Sequence, residues 1–384
     1  MDFSLSEEKI KALLAIPHTP SYVIDEEKLY ENLRLLRDLQ DDTGCRILLA
    51  QKAFSAYFLY PEMKKYIAGT TASGMYEARL GYENMGGEVH VFSPAYSAEE
   101  MEYLARTADH IVFNSFSQLE VFKGKTGKAS IGLRINPEFS TQTGHEIYDP
   151  CAKGSRLGIP MHTLPESLPD CVEGLHIHTL CEQDSDALVA TFAAFERGCG
   201  KFFGKLKWLN LGGGHHITRP GYDIESLKKL ILRIKSDYGV EVYLEPGEAV
   251  ALNAGYLVSS VMDIVENEDR IAILDTSAAC HMPDVLEMPY RPPLAFSGMP
   301  DEKRYTYTLS SRTCLAGDVI GKYSFSSPLN TSDRLIFGDM AIYSMVKNNT
   351  FNGMPLPSIY VLDRKNNLRL QKQFEYSDFV GRLG

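Results

Sequence analysis

Lys52 sits in the run Leu48-Leu49-Ala50-Gln51-Lys52-Ala53-Phe54, where an apolar segment meets an ammonium group. A lysine held out of water is penalised in its charged form. Its pKa falls, and the free amine becomes a nucleophile suited to forming a Schiff base. A surface lysine with its stem along apolar neighbours would read the same way, so other residues must decide. Gly212-Gly213-Gly214 closes a strand-like run. Consecutive glycines let backbone N–H groups approach an anion such as a phosphate, although a tight turn uses them too. Glu245-Pro246-Gly247-Glu248 puts carboxylates after the next such run. Glu245 there suits a protonated ring nitrogen, or a simple ion pair with an arginine. His176 and His178 flank Ile177, and the expectation is that their rings lie on opposite sides of the strand, one facing the site and one structural. A metal pair aided by His215 and His216 is the competing reading; it needs converging ligands, and no metal is expected.

These residues need a scaffold that brings them together. Eight short β-rich runs alternate with helical segments: Arg46–Ala50, Gly69–Ser73, Glu88–Ser93, His110–Ser115, Ser130–Pro137, Gly174–Thr179, Lys207–Gly214 and Glu241–Gly247. Several are almost continuously apolar, as strands buried on both faces must be. Leu227, Leu230, Ile231 and Ile234 recur at helical spacing between a capping Asp223 and a terminating Gly239. Asp25 is placed to cap an earlier helix carrying Leu29, Leu33 and Leu36. Eight strand–helix units predict an α/β fold built on a closed (β/α)8 TIM barrel, with an open doubly wound sheet as the alternative. In such barrels the reacting groups lie at the C-terminal ends of the strands. Lys52, Ser73, Asn114, Arg134, Asn136, His178, Gly212–Gly214, Glu245 and Gly247 all fall there. After about Tyr256 the pattern changes to strand-like runs without long helices, separated by Pro289, Pro292, Pro293 and Gly298. This predicts a barrel over 22–255 and a C-terminal β-rich domain, a barrel or sandwich, over 256–384, with residues 1–21 packing on the latter.

Composition narrows the function class. The 384 residues carry a formal net charge of -11, which disfavours a nucleic-acid partner and suits a cationic small molecule or plain solubility. Seven scattered cysteines without a C-x-x-C pair predict free thiols and a cytoplasmic setting. No run approaches the roughly 20 apolar residues of a membrane span, and the acidic N-terminus does not read as a secretory signal.

Five segments in order carry a resemblance over nearly the whole chain. They are Ala50-Gln51-Lys52-Ala53-Phe54, Gly174-Leu175-His176-Ile177-His178, Leu209-Asn210-Leu211-Gly212-Gly213-Gly214, Glu245-Pro246-Gly247, and Thr313-Cys314-x-x-Gly317-Asp318. Together they resemble the fold-type III pyridoxal 5'-phosphate (PLP)-dependent decarboxylases, which include ornithine, arginine and diaminopimelate decarboxylases. The resemblance implies an alanine-racemase-like barrel, a C-terminal β domain and a homodimer with shared active sites. It implies that Lys52 holds PLP as a Schiff base, that His178 stacks on the ring, and that Glu245 pairs with the pyridine nitrogen. Gly212, Gly213, Gly214 and Gly247 would bind the phosphate, helped by Tyr343 in Asp339-Met340-Ala341-Ile342-Tyr343. Cys314 would reprotonate the product carbon.

Departures from that family bear on the substrate. Ornithine and diaminopimelate decarboxylases usually carry Arg after Glu-Pro-Gly, and here Glu248 stands there. That change moves the site by two charges towards negative, against a distal carboxylate and towards a long polyamine cation. The segment His178-Thr179-Leu180-Cys181-Glu182 likewise resembles the branch acting on carboxylated polyamines. Glu248, Glu182, Asp284 and Glu287 are therefore expected to bind substrate amines, the last two being equally readable as solvated loop charges. The alternatives are a diaminopimelate or other basic amino-acid decarboxylase, a non-catalytic PLP-binding protein, an alanine racemase (which would need a tyrosine where Cys314 stands) and a metal-dependent hydrolase.

Overall fold

The computed structural model describes residues 5–142 and 148–384. Two compact units share the chain: Asn32–Val250, and the part up to Glu31 together with Ala251–Gly384.

In the first unit, Arg46–Ala50 pairs in parallel with Gly69–Ala72, which pairs with Glu88–Phe92, and that with His110–Phe113. From there the ladder runs to Ser130–Asn136, Gly174–His176, Trp208–Asn210 and Glu241–Leu244. The last strand returns to Arg46–Ala50, so eight parallel strands form a closed ring. The predicted (β/α)8 barrel is thus present. Each strand begins at the expected residue, except the seventh, which begins one residue later. The later strands stop three or four residues sooner than expected, at His176, Asn210 and Leu244. The residues beyond those ends leave the ladder and become the rim. The predicted helix signals hold. The Asp223 side chain accepts from the Ser226 N–H at 3.0 Å, and Gly239 ends that helix in the left-handed conformation at φ 67°, where a Cβ is costly. Asp25 accepts from the Lys28 N–H at 3.2 Å at the head of the helix Glu26–Thr43.

The second unit is built on an eight-stranded sheet. Its long strand Gly255–Asn267 pairs antiparallel with Ser21–Asp25, Arg334–Gly338 and Asp269–Leu274. Tyr305–Ser311 and Val319–Phe325 extend one side; Ser358–Leu362 and Leu368–Lys372 extend the other. Leu257, Val261, Leu274, Leu309, Tyr323 and Phe337 form part of its core. Ser21–Asp25, Val319–Phe325 and Leu368–Lys372 were not foreseen. Ser21–Asp25 is fully buried but only five residues long, directly before a long helix. Val319–Phe325 is interrupted by Gly321, and Leu368–Lys372 is a largely exposed outer strand with no apolar run. No helix among the described residues is long and apolar enough to cross a membrane.

Candidate active site

Lys52 leaves the barrel two residues after Ala50, and the neighbouring backbone fixes where it goes. The Ala50 N–H donates to the Pro246 carbonyl at 3.0 Å and the Gln51 N–H to Thr71 at 3.2 Å, so the chain stays tied to both adjacent strands. The buried Gln51 side chain donates to the Glu77 carbonyl at 2.8 Å and accepts from the Tyr60 hydroxyl at 3.2 Å. The amine of Lys52 is surrounded by protein yet still reachable by solvent, as at the floor of an open cup. Burial and the neighbouring Arg134 guanidinium lower its pKa; Glu245 and Glu77 pull the other way. The net direction is the one a nucleophilic lysine needs.

Glu245, just past the eighth strand, is buried. Its Oε1 accepts from the Asn210 amide at 2.8 Å, and its Oε2 lies 3.3 Å from His176 Nε2. Burial alone would raise its pKa, but the two histidines and the Asn210 hydrogen bond outweigh burial and keep it ionised. His176 and His178 go the opposite way: burial holds both imidazoles below their ordinary value. His178 Nδ1 accepts from the Gly213 N–H at 3.2 Å, which puts any proton of the neutral ring on Nε2. Arg134 completes the group. Its guanidinium lies 4.5 Å over the Phe92 ring and donates to the His178 carbonyl at 2.9 Å. Burial lowers its pKa to about 10, so it remains a cation at neutral pH.

The expectation that His176 and His178 point to opposite sides is corrected. Residues two apart on a strand share a face, so the two-residue period itself brings His176 and His178 to one side, although the strand proper ends at His176. Their rings lie 6.2 Å apart at 76°, and both converge with Glu245 so that ligand atoms of all three lie within 4.8 Å of one another. His215 and His216 do not join them. His215 Nδ1 pairs with the Tyr222 hydroxyl at 2.7 Å, and His216 Nε2 faces Glu248 at 3.4 Å.

The glycines are demanded by close approach. A Cβ on Gly213 would lie 2.1 Å from the Glu245 carbonyl oxygen, and one on Gly214 1.9 Å from that of Leu180. Gly247 faces Ala53 and Ala50, where a Cβ would meet theirs at 2.7 and 3.2 Å. This explains why the lysine segment carries alanine on both sides. The Gly212 N–H already donates to Asn210 Oδ1 at 2.8 Å and the Gly213 N–H to His178 Nδ1 at 3.2 Å, which shifts the amide offered to an anion towards Gly214.

Glu248 begins the short helix Glu248–Ala251. Burial lowers the pKa of His216, but the ion pair with Glu248 and the nearby Glu182 reverse this and raise it. Glu182 holds a left-handed backbone at φ 54°. The remaining predicted residues lie in the other unit. Cys314 is exposed, and its N–H donates to Asn352 Oδ1 at 2.7 Å. Tyr343 is partly buried with φ 48°. Asp284 and Glu287 both pair with Lys347, the former at 2.5 Å, so their charge is partly offset within the chain.

Sequence reasoning missed two rim residues. Glu77 accepts from the Ser73 N–H at 2.6 Å at the head of the helix Met75–Asn84 and acts electrostatically on Lys52. Asn210 links Glu245 to Gly212. The four-residue Ser73-to-Glu77 spacing does not match a capping box, whose members stand three apart, and its proximity to Lys52 had no local signal.

The donor set fits PLP. It offers a lysine with a lowered pKa in an open cup, an ionised buried carboxylate, a neutral imidazole beside it and tightly packed glycines at the same rim.

The family model for pyridoxal-dependent decarboxylases, C-terminal sheet domain, matches residues 21–341. A carboxynorspermidine/carboxyspermidine decarboxylase of Campylobacter jejuni is 44% identical over 373 residues, spanning 94% of this chain and 97% of its own. A carboxyaminopropylagmatine decarboxylase of a Synechocystis species is 40% identical over 371 residues, 95% of each chain. The solved structure of carboxynorspermidine decarboxylase complexed with norspermidine, from Campylobacter jejuni, matches with 42% identity and a TM-score of 0.89, covering 95% of this chain and 100% of that one.

Proposed function

The chain belongs to the pyridoxal-dependent decarboxylases, and from that membership we propose that it removes CO₂ from carboxynorspermidine and carboxyspermidine to give norspermidine and spermidine in polyamine biosynthesis. It is a carboxy-lyase that works with PLP. The observation that carries the substrate is the 44% identity, over nearly its full length, to a relative named for those two compounds. The acidic rim supports it: Glu248 follows Glu245-Pro246-Gly247 where related decarboxylases of shorter substrates carry arginine.

When bound, PLP supplies an electron sink for the pair left behind by CO₂. The chain's own residues do the rest. Lys52, with its lowered pKa, would hold the cofactor through its amine. Glu245, ionised and buried, holds a proton at the ring nitrogen. His178, neutral, covers a ring face. Gly213, Gly214 and Gly247 provide close-approaching backbone for the phosphate, with Gly212 bracing Asn210 and Tyr343 adding its hydroxyl. In a homodimer with shared active sites, Cys314 returns a proton to the product carbon. Glu248 and Glu182 bind the secondary and distal ammonium groups, with Asp284 and Glu287 as further carboxylates whose pairing with Lys347 must loosen first.

The test is CO₂ release from both carboxylated polyamines, carboxyaminopropylagmatine, diaminopimelate, ornithine, lysine and arginine. The two favoured substrates differ by one methylene, worth about 1–3 kcal/mol, so both turn over. Charged groups set the larger gap: kcat/KM for diaminopimelate is expected to be lower by roughly 10²-fold or more. A preference for diaminopimelate sinks the proposal. A preference for carboxyaminopropylagmatine keeps the site and moves the substrate to one with a guanidinium end.

A further inference from the structure

The segment Thr313-Cys314-x-x-Gly317-Asp318 ends on a carboxylate without a role so far, and four side-chain and backbone donors converge on it. Asp318 is buried, 1% exposed. Its Oδ2 accepts from the hydroxyls of Ser277, Ser311 and Thr313, each at 2.6 Å, and its Oδ1 from the Ala279 N–H at 3.2 Å. Its backbone joins in: the Asp318 carbonyl accepts from Ser310 Oγ at 2.8 Å, and the Asp318 N–H donates to Leu315 at 2.9 Å. The loop 312–318 is thereby folded back on its own carboxylate, and exposed Cys314 stands at its outer turn.

A purely structural aspartate in a hairpin turn would be satisfied by one or two local amides. Here three hydroxyls converge on one oxygen, two of them from the strand end and loop that carry Cys314, the third from the head of the separate helix Ala278–His281. Charge-assisted bonds of this kind are short and directional. Cys314 has a second tie, its N–H on Asn352 Oδ1 at 2.7 Å, and Asn352 holds φ 56°, a conformation asparagine tolerates better than most residues. Both backbone ends of the thiol are fixed while its Sγ stays open.

We propose that Asp318 is a positioning residue for Cys314: its carboxylate, through Thr313 and Ser311, sets where the thiol stands when it delivers its proton, with Asn352 as the second anchor. The inference rests on the reading of Cys314 as the proton donor. Asparagine at 318 offers only two N–H hydrogens where three hydroxyls now donate, so the cluster cannot be rebuilt intact. Thr313→Val removes a single hydroxyl at nearly constant shape.

The experiment uses the PLP-loaded protein and its Asp318→Asn, Thr313→Val, Thr313→Ser and Cys314→Ala variants. It reads two quantities: the fraction of turnovers ending in abortive transamination, and the iodoacetamide alkylation rate attributable to Cys314, taken by difference from Cys314→Ala. Asp318→Asn and Thr313→Val are expected to raise the abortive fraction roughly tenfold, as a misplaced reacting group should, to speed alkylation at least about twofold, and to leave KM within about twofold. Thr313→Ser, which keeps the hydroxyl, should restore parent values. If Asp318→Asn does not fold, the Thr313 pair decides alone. If Cys314→Ala leaves the abortive fraction at the parent level, the proton-donor reading falls and this inference with it. If Cys314→Ala raises it but both cluster variants match the parent in both readouts, the positioning role alone is overturned.

Discussion

The barrel holds two groups of the same make-up at opposite ends. At the C-terminal rim stand His176, His178 and Glu245; at the N-terminal end stand Glu88, His90 and His110. In each, the imidazole and carboxylate ligand atoms lie within 4.8 Å of one another, and each has an arginine beside it, Arg134 above and Arg46 below. Their surroundings differ. The lower group is packed among aromatic rings: the His90 and His110 rings stack at 3.8 Å, with Trp208 4.7 Å from His110 and Tyr243 4.6 Å from His90. Glu88 is divided between Arg46 and His90, the latter at 3.0 Å. Rings stacked on one another and on aromatic neighbours serve packing. The upper group is crossed, not stacked, and opens on Lys52 and a glycine-lined rim. Residue type does not tell these groups apart; the end of the strand does, and barrel chemistry sits at the C-terminal end.

The comparison breaks first at Lys52. Lys52→Ala should abolish the bound chromophore and cut turnover by roughly 10⁴-fold or more, since both the anchor and a reacting amine are lost. The melting temperature should stay near that of the parent's cofactor-free form, because the amine bears no packing. A variant retaining chromophore and turnover would remove the lysine from the mechanism. Glu245→Gln comes next. It keeps the shape but removes the one carboxylate of the rim group, and an electrostatic partner of this kind is worth about 10²–10³-fold in kcat. Unchanged kcat would leave the upper group no more chemical than the lower.

The lower group should respond in the other currency. Glu88→Gln strands the partly accessible Arg46 and weakens the bond to buried His90, so it should cost about 1–2 kcal/mol of stability while kcat/KM stays within about twofold. A large loss of activity at unchanged stability would mean that the N-terminal end takes part in the chemistry.

The sequence made one end more readable than the other. Lys52, Glu245 and the glycine run fall at strand ends that apolar periodicity locates, so a topological rule could gather them before any coordinates. Where a strand stops is less readable; the expected opposition of His176 and His178 failed for a simpler reason, since residues two apart on a strand share a face. Glu77 and Asn210 act through partners on other strands, a relation no local spacing carries. Glu88 and His90 alternate and so share a face, but that this face meets His110 of the next strand and Trp208 of the seventh depends on ring closure. The β-rich unit was read least well. Ser21–Asp25 is contributed from far away in sequence, and the Ser277 hydroxyl on Asp318 comes from a segment that nothing in the chain marks as a neighbour of Ser311 and Thr313.

The smallest effect separates the two groups by pH. Burial and the adjacent His90 lower the pKa of His110 from 6.5 to about 3. Between those values the unfolded chain binds a proton that the folded chain refuses, so the stability from neutral His110 is complete above about pH 6.5 and is lost as pH falls towards 3. His215 and His281, lowered to about 4 by burial, add to the same slope. Replacing His110 by Gln removes one titrating group and the ring stack together. The variant should therefore melt lower than the parent at pH 7.5, yet lose less on going to pH 5, with a difference between the two slopes of at most about 1 kcal/mol once partial accessibility is allowed for. Melting curves of both proteins at pH 7.5, 6 and 5 measure it. Parallel slopes would show that His110 is protonated as readily folded as unfolded, and the neutral state assigned to His110 would be wrong. The visible spectrum at each pH, governed by the rim, should be the same in both proteins, so that a spectral difference would tie the two ends of the barrel together.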